Sequence, residues 1–144
     1  MAFIKPGKYA SDFTEFHHKR VGSNITMMDL DAVQFKVLPD GSERLRLIEY
    51  KGTYEKKRVQ QMKVLKRFAK YFKFLNKGAV NTIFEVYMVV ADFRMARGVY
   101  SLKDDCTIHN LIEKNSVKIL EDDLICFLEF NCDWKELIGK AILR

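Results

Sequence analysis

The chain has no long apolar run. None of its hydrophobic stretches is long enough to span a bilayer. Its first residues, Met1-Ala2-Phe3-Ile4-Lys5-Pro6, are too short and too soon interrupted by Pro6 to form the apolar region of a secretory signal, so no membrane partner is expected. Cysteine is scarce as well. Cys106, Cys126 and Cys132 form no C-x-x-C pair, and an odd, widely spaced set reads as buried free thiols in a reducing, cytoplasmic compartment rather than as a zinc site or a disulfide framework. There is no internal repeat, no low-complexity tract, no P-loop, no Rossmann fingerprint and no nucleophile elbow. Solenoids, nucleotide-binding α/β domains of those types and serine hydrolases are thereby set aside.

What is present is one domain's worth of chain, 1–144, with ordinary hydrophobic content. The formal net charge of +6 favours a polyanionic partner. Two apolar runs flank Pro39-Asp40-Gly41 and read as a β-hairpin over residues 24–52. A three-residue loop with Gly41 in the left-handed position is a common hairpin connection. Counting outward from it sets Leu38 across from Ser42, Asp31 across from Glu49 and Asp29 across from Lys51; a slip of two would keep the faces. Asp29, Asp31, Val33 and Phe35 share one face, as do Leu45, Leu47, Glu49 and Lys51. Three carboxylates and an amine thus converge beside residues that favour burial, which is costly unless something neutralises them. A divalent cation with oxygen ligands does so. The competing reading is a salt-bridge ladder on an exposed face.

Asp31-Ala32-Val33-Gln34-Phe35, followed by Glu49-Tyr50-Lys51 at the end of an apolar strand, resembles the PD-(D/E)XK nuclease signature. That superfamily includes restriction endonucleases, Holliday-junction resolvases and phage and viral nucleases. The resemblance covers the first half of the chain; Leu30 stands where the family has Pro. It implies a restriction-endonuclease-like α/β fold, a central mixed sheet flanked by helices. It further implies a Mg²⁺-dependent DNA endonuclease, with Mn²⁺ able to substitute, in which Asp31 and Glu49 hold the metal and Lys51 assists the attacking water. Asp29 is a second candidate ligand. Glu15, on a helix expected over 12–20, either caps that helix with Asp12 or supplies the acidic residue that many members carry there. Gln60 or Gln61 occupies the place of a glutamine near the catalytic water, and Gln60 is the one assigned.

Val59, Met62, Leu65, Phe68 or Ala69, Phe72 and Leu75 repeat at helical spacing up to a stop at Gly78. Lys56, Lys63, Arg67 and Lys70 mark the other face, a stripe suited to phosphates or simply to water. Residues 80–91 read as a central strand, 92–98 as a loop with two arginines, 99–102 and 116–120 as short strands, and 107–114 as helical. Two helices close the chain, one starting at Glu121-Asp122-Asp123 and one over 133–143. A homodimer would bring two active sites to one substrate. The alternative function is a non-catalytic nucleic-acid-binding or assembly protein that keeps the fold. A further option is an interaction domain whose basic helix meets an acidic protein.

Overall fold

A computed structural model describes residues 12–21, 30–55, 59–78 and 81–143. The chain divides into two units, Met1–Leu30 and Asp31–Arg144. In the first, α1 (Asp12–Arg20) forms as the sequence suggests. Glu15 there pairs with Lys19 one turn on, at 2.7 Å.

The second unit begins with the hairpin. Strand β1 (Ala32–Val37) pairs antiparallel with β2 (Glu43–Lys51). Leu38 N–H donates to Ser42 O and Gly41 N–H donates to Leu38 O. Gly41 takes a φ of +86°, which a side chain would strain. Asp40 accepts from both the backbone N–H and the hydroxyl of Ser42, fixing the turn. The observed register places Val33 opposite Leu47 and Ala32 opposite Ile48, as counted from the turn.

Helix α2 (Val59–Gly78) carries the chain back to β3 (Thr82–Val90), which lies parallel to β2. The 80–91 segment therefore is the central strand. Strands β4 (Phe93–Ala96) and β5 (Val99–Leu102) then leave the sheet as a separate two-stranded ribbon. Strands β6 (Cys106–Asn110) and β7 (Asn115–Ile119) return to it, giving a five-stranded mixed sheet in the order β1-β2-β3-β6-β7. Helices α3 (Glu121–Leu128) and α4 (Trp134–Leu143) end the chain. The class is mixed α/β, a central sheet flanked by helices.

Three expectations are corrected here. The 107–114 segment is not helical: residues 106–110 form β6, alternating buried and half-buried as a strand does. The Asn110 side chain then accepts from the N–H groups of Ile112 and Glu113 and turns the chain into β7. The 92–98 loop is half a hairpin. The cysteines are not all free: Cys126 and Cys132 form a disulfide, and only Cys106 is a free thiol. Burial pushes that thiol up to about 12, so it is unreactive.

One sheet face packs on α3 and α4, through Ile48, Tyr87, Val89, Ile108, Val117, Leu124, Phe127 and Leu137. The other lies under α2, where Leu65 and Ala69 are buried and Phe72 meets the Phe84 ring at 5.1 Å. This second face carries Leu47, Glu49 and Lys51. It does not bury Val33 and Phe35, which are 59% and 57% exposed, because β1 is the sheet's edge and α2 packs on β3, two strands away.

Candidate functional site

Lys51 is the last residue of β2, and its parallel neighbour β3 ends opposite it at Val90. Both strands finish at the end where the chain departs toward α2 and the ribbon. In α/β sheets ligands bind outside such carboxyl ends. Three of the sequence-predicted residues meet there. Asp31 directly precedes β1 and continues its register opposite Glu49. Its Oδ2 accepts the Tyr50 N–H at 2.7 Å, which anchors the carboxylate to the neighbouring strand.

Glu49 is only 3% exposed, and its Oε1 lies 3.5 Å from the Lys51 ammonium. Glu49 Oε2 is buried with no hydrogen-bond partner among the described residues. A buried acceptor left unmatched costs free energy. Burial raises the Glu49 carboxyl above its ordinary pKa, and the adjacent Asp31 carboxylate raises it further, against the pull of Lys51. Lys51 itself is 9% exposed. These burials argue against an exposed salt-bridge ladder, whose members would all be solvated.

More acid surrounds this core than the motif contains. Asp92, just past β3, accepts the Thr53 N–H at 3.1 Å, and its hydrogen bonds from Thr53 hold its carboxyl below the ordinary range. Glu55 accepts the Gly52 N–H at 3.1 Å. The Tyr50 hydroxyl donates to Ala91 O at 2.9 Å. Burial raises the Tyr50 pKa, with Asp92, Glu55 and Asp31 adding to the rise, so the field here is negative. Sequence reading missed Asp92 and Glu55. The parallel β2–β3 pairing brings Asp92 to this end, and no spacing along the chain announces it.

The remaining expected residues fall elsewhere. Asp29 and Lys56 lie outside the described residues. Gln60 is in the first turn of α2, but its side chain also lies outside them. Its neighbour Gln61 has a buried Oε1 with no partner among the described residues. Glu15 belongs to the first unit. Lys63, Arg67 and Lys70 are exposed on α2. Lys63 and Arg67 each stand two residues from buried Leu65, on the side of the helix away from the sheet. Among the described residues no group of three or more His, Cys, Asp and Glu side chains stands ready to hold a metal. Asp31 and Glu49 are the two carboxylates set across from each other here, and the orphaned Glu49 Oε2 fits a hard cation that takes one or two protein carboxylates and keeps its waters.

No helix among the described residues is long and apolar enough to cross a membrane. No protein family, curated protein or solved structure matches the chain.

Proposed function

We propose that the chain is a Mg²⁺-dependent deoxyribonuclease, an endonuclease of restriction-endonuclease-like fold. The observation that carries this reading is the hairpin end itself. Asp31 stands across from Glu49, Glu49 is buried with one oxygen unmatched, and Lys51 lies 3.5 Å from its other oxygen. A helical crossover to a parallel strand behind the hairpin supports it, since the sheet type expected from the E-x-K resemblance requires one. A bound divalent cation supplies Lewis-acid charge to the scissile phosphate and to an attacking water. Asp31 and Glu49 would hold it. The Tyr50 N–H orients Asp31, and Lys51 places its ammonium where it can donate to a phosphoryl oxygen as negative charge develops. The burial of Glu49 and Lys51 at the end of β2 keeps water from screening these charges.

Metal binding follows with a defined pH dependence. Calorimetry should detect one Mn²⁺ site, weakened more than about tenfold in Asp31→Ala and in Glu49→Ala. Because the Glu49 pKa is raised, a cation competes with a proton for its carboxylate. Affinity should therefore climb as pH rises through that raised pKa, with protons released on binding. The same shift has a stability sign. The folded state holds the Glu49 proton more tightly than the unfolded chain does. Stability is thus greatest below the ordinary carboxylate value of about 4.3 and is lost as pH rises through the raised value. Glu49→Gln should accordingly raise the neutral-pH melting temperature and give no gain at low pH. Equal Mn²⁺ affinity in wild type and both alanine variants would remove the metal assignment.

The exposed stripe on α2 is read as a phosphate contact surface for DNA. In the Lys63→Ala/Arg67→Ala/Lys70→Ala triple variant, the slope of log affinity against log salt should fall by about three. An unchanged slope would return this face to plain solvated surface.

A further inference from the structure

Between Ala91 and Lys103 the chain builds something the core does not need. Among the described residues, strands β4 and β5 pair only with each other, Arg94 opposite Ser101 and Met95 opposite Tyr100. The tip is Arg97-Gly98, with φ of 53° and 75°, the pair of positive values that a two-residue type I′ turn requires. The root is fixed. Leu102 is buried and its N–H donates to the Glu121 carboxylate, the Lys103 N–H donates to Asp92 O, and the Phe93 ring lies 5.8 Å from Tyr50. Beyond the root the ribbon is bare: Met95, Val99 and Tyr100 are 60%, 65% and 70% exposed. A lone two-stranded ribbon is marginally stable in water, and exposed apolar side chains do not help it.

We infer that this ribbon is a duplex-engaging arm that lies in the major groove of the nucleic acid whose backbone reaches Glu49 and Lys51. The inference rests on the nuclease reading and names its substrate form. Charge selects the partner. Residues 93–103 contain Arg94, Arg97 and Lys103 and no acidic residue. Asp92 and Glu55, both beside Gly52, lie at the arm's root, and Asp104 and Asp105 follow Lys103 there, so the positive charge sits outward on Arg94 and Arg97. A polyanion is therefore drawn to the arm and repelled by the bare site, unless a cation is bound there. An apolar protein partner would have no use for arginine at the tip. Size selects the duplex. Paired strands stand about 4.8 Å apart and rise about 3.3 Å per residue, so four-residue strands extend roughly 13 Å. A two-stranded ribbon of that size enters a major groove about 12 Å wide and about 8.5 Å deep. Arg94, steadied by a 3.4 Å contact from its Nε to the Ser101 hydroxyl, then faces one groove wall, and Met95 and Tyr100 face the bases from the other side of the ribbon. Arg97 reaches from the tip.

The test measures binding in EDTA, where cleavage is off. A labelled duplex and a single strand of the same length are titrated with wild type, Arg94→Ala/Arg97→Ala and Met95→Ser/Tyr100→Ser, each first shown to melt as wild type does. These positions are exposed, so folding should survive. The arginine variant should bind duplex at least about tenfold more weakly, with a salt slope smaller by about two. The Met95/Tyr100 variant should lose duplex affinity and keep its single-strand affinity. Unchanged duplex affinity in both variants would overturn the arm. So would a larger loss on the single strand, which would mark a base-stacking platform instead. Cleavage with Mg²⁺ is scored separately. A protein that cleaves duplex while its ribbon variants bind normally refutes the arm alone, and one that binds through the ribbon yet never cleaves refutes the nuclease reading alone.

Discussion

Lys51→Ala should cleave DNA on the order of 10²–10³ times more slowly than wild type in single turnover, the loss typical of removing one group that stabilises transition-state charge. Folding and Mn²⁺ binding should largely persist. The ammonium lies 3.5 Å from Glu49 Oε1 at the end of β2 and is almost wholly enclosed. A purely structural ion pair makes a different expectation. Removing the lysine would then leave Glu49 without its cation, lower the melting temperature and leave the cleavage rate alone. Melting and single-turnover rates taken on the same preparation separate the two. The pH profile adds a third readout: without Lys51, the Glu49 pKa should rise further, moving the acid limb of metal binding to higher pH.

The largest stability effect is expected away from the site. Arg46 is fully buried and pairs with Glu85, its partner on β3, at 3.1 Å. Glu85 also takes Arg44 and the Tyr87 hydroxyl. The Arg46 guanidinium lies between the Phe127 and Phe130 rings, at 4.1 and 3.9 Å from their centroids, and donates to Phe127 O. Gln34 and Lys36 donate to the next two carbonyls, Leu128 and Glu129. Three side chains of the hairpin thus cap the C-terminal end of α3, where the helix dipole favours cations. Burial lowers the Arg46 pKa and Glu85 opposes that shift. Glu85→Ala would strand a buried charge and should cost about 3–5 kcal/mol in urea unfolding, a large part of the roughly 5–15 kcal/mol typical of a domain. The double variant Arg46→Met/Glu85→Leu should recover most of that loss, since apolar replacement of a buried pair is often neutral. A double-variant loss equal to the sum of the Arg46→Met and Glu85→Leu losses would show that the pair does not act as a unit.

The hairpin was legible because its determinants are local. Pro39-Asp40-Gly41 specifies the turn, the turn specifies the register, and the register alone places Asp31 beside Glu49. Helix α2 was legible from its apolar period and its stop at Gly78. What escaped depends on partners far along the chain. Ile108, Leu111 and Ile112 have helical spacing, yet β3 offers a free edge and 106–110 takes it as a strand. Arg97-Gly98 is a less familiar type I′ turn than Asn-Gly, so 92–98 reads as loop although the strand expected over 99–102 is its hairpin partner. The Cys126–Cys132 bridge closes because α3 ends and the chain turns back, which a spacing of six does not reveal. Val33 and Phe35 carried the right parity for the face but lie on its open edge. Glu85 lies within an apolar strand, and its partners Arg44 and Arg46 reach it through the parallel pairing, which no local spacing encodes.

Incubating the purified protein with labelled duplex, single-stranded and branched DNA, with Mg²⁺ or Mn²⁺ and with EDTA, decides whether the hairpin end is a nuclease centre. Metal-dependent cleavage is expected, which EDTA stops and which Asp31→Ala, Glu49→Ala and Lys51→Ala each suppress. DNA left intact by the folded wild type with either metal, or cleavage equally fast in the Glu49→Ala variant, would contradict it.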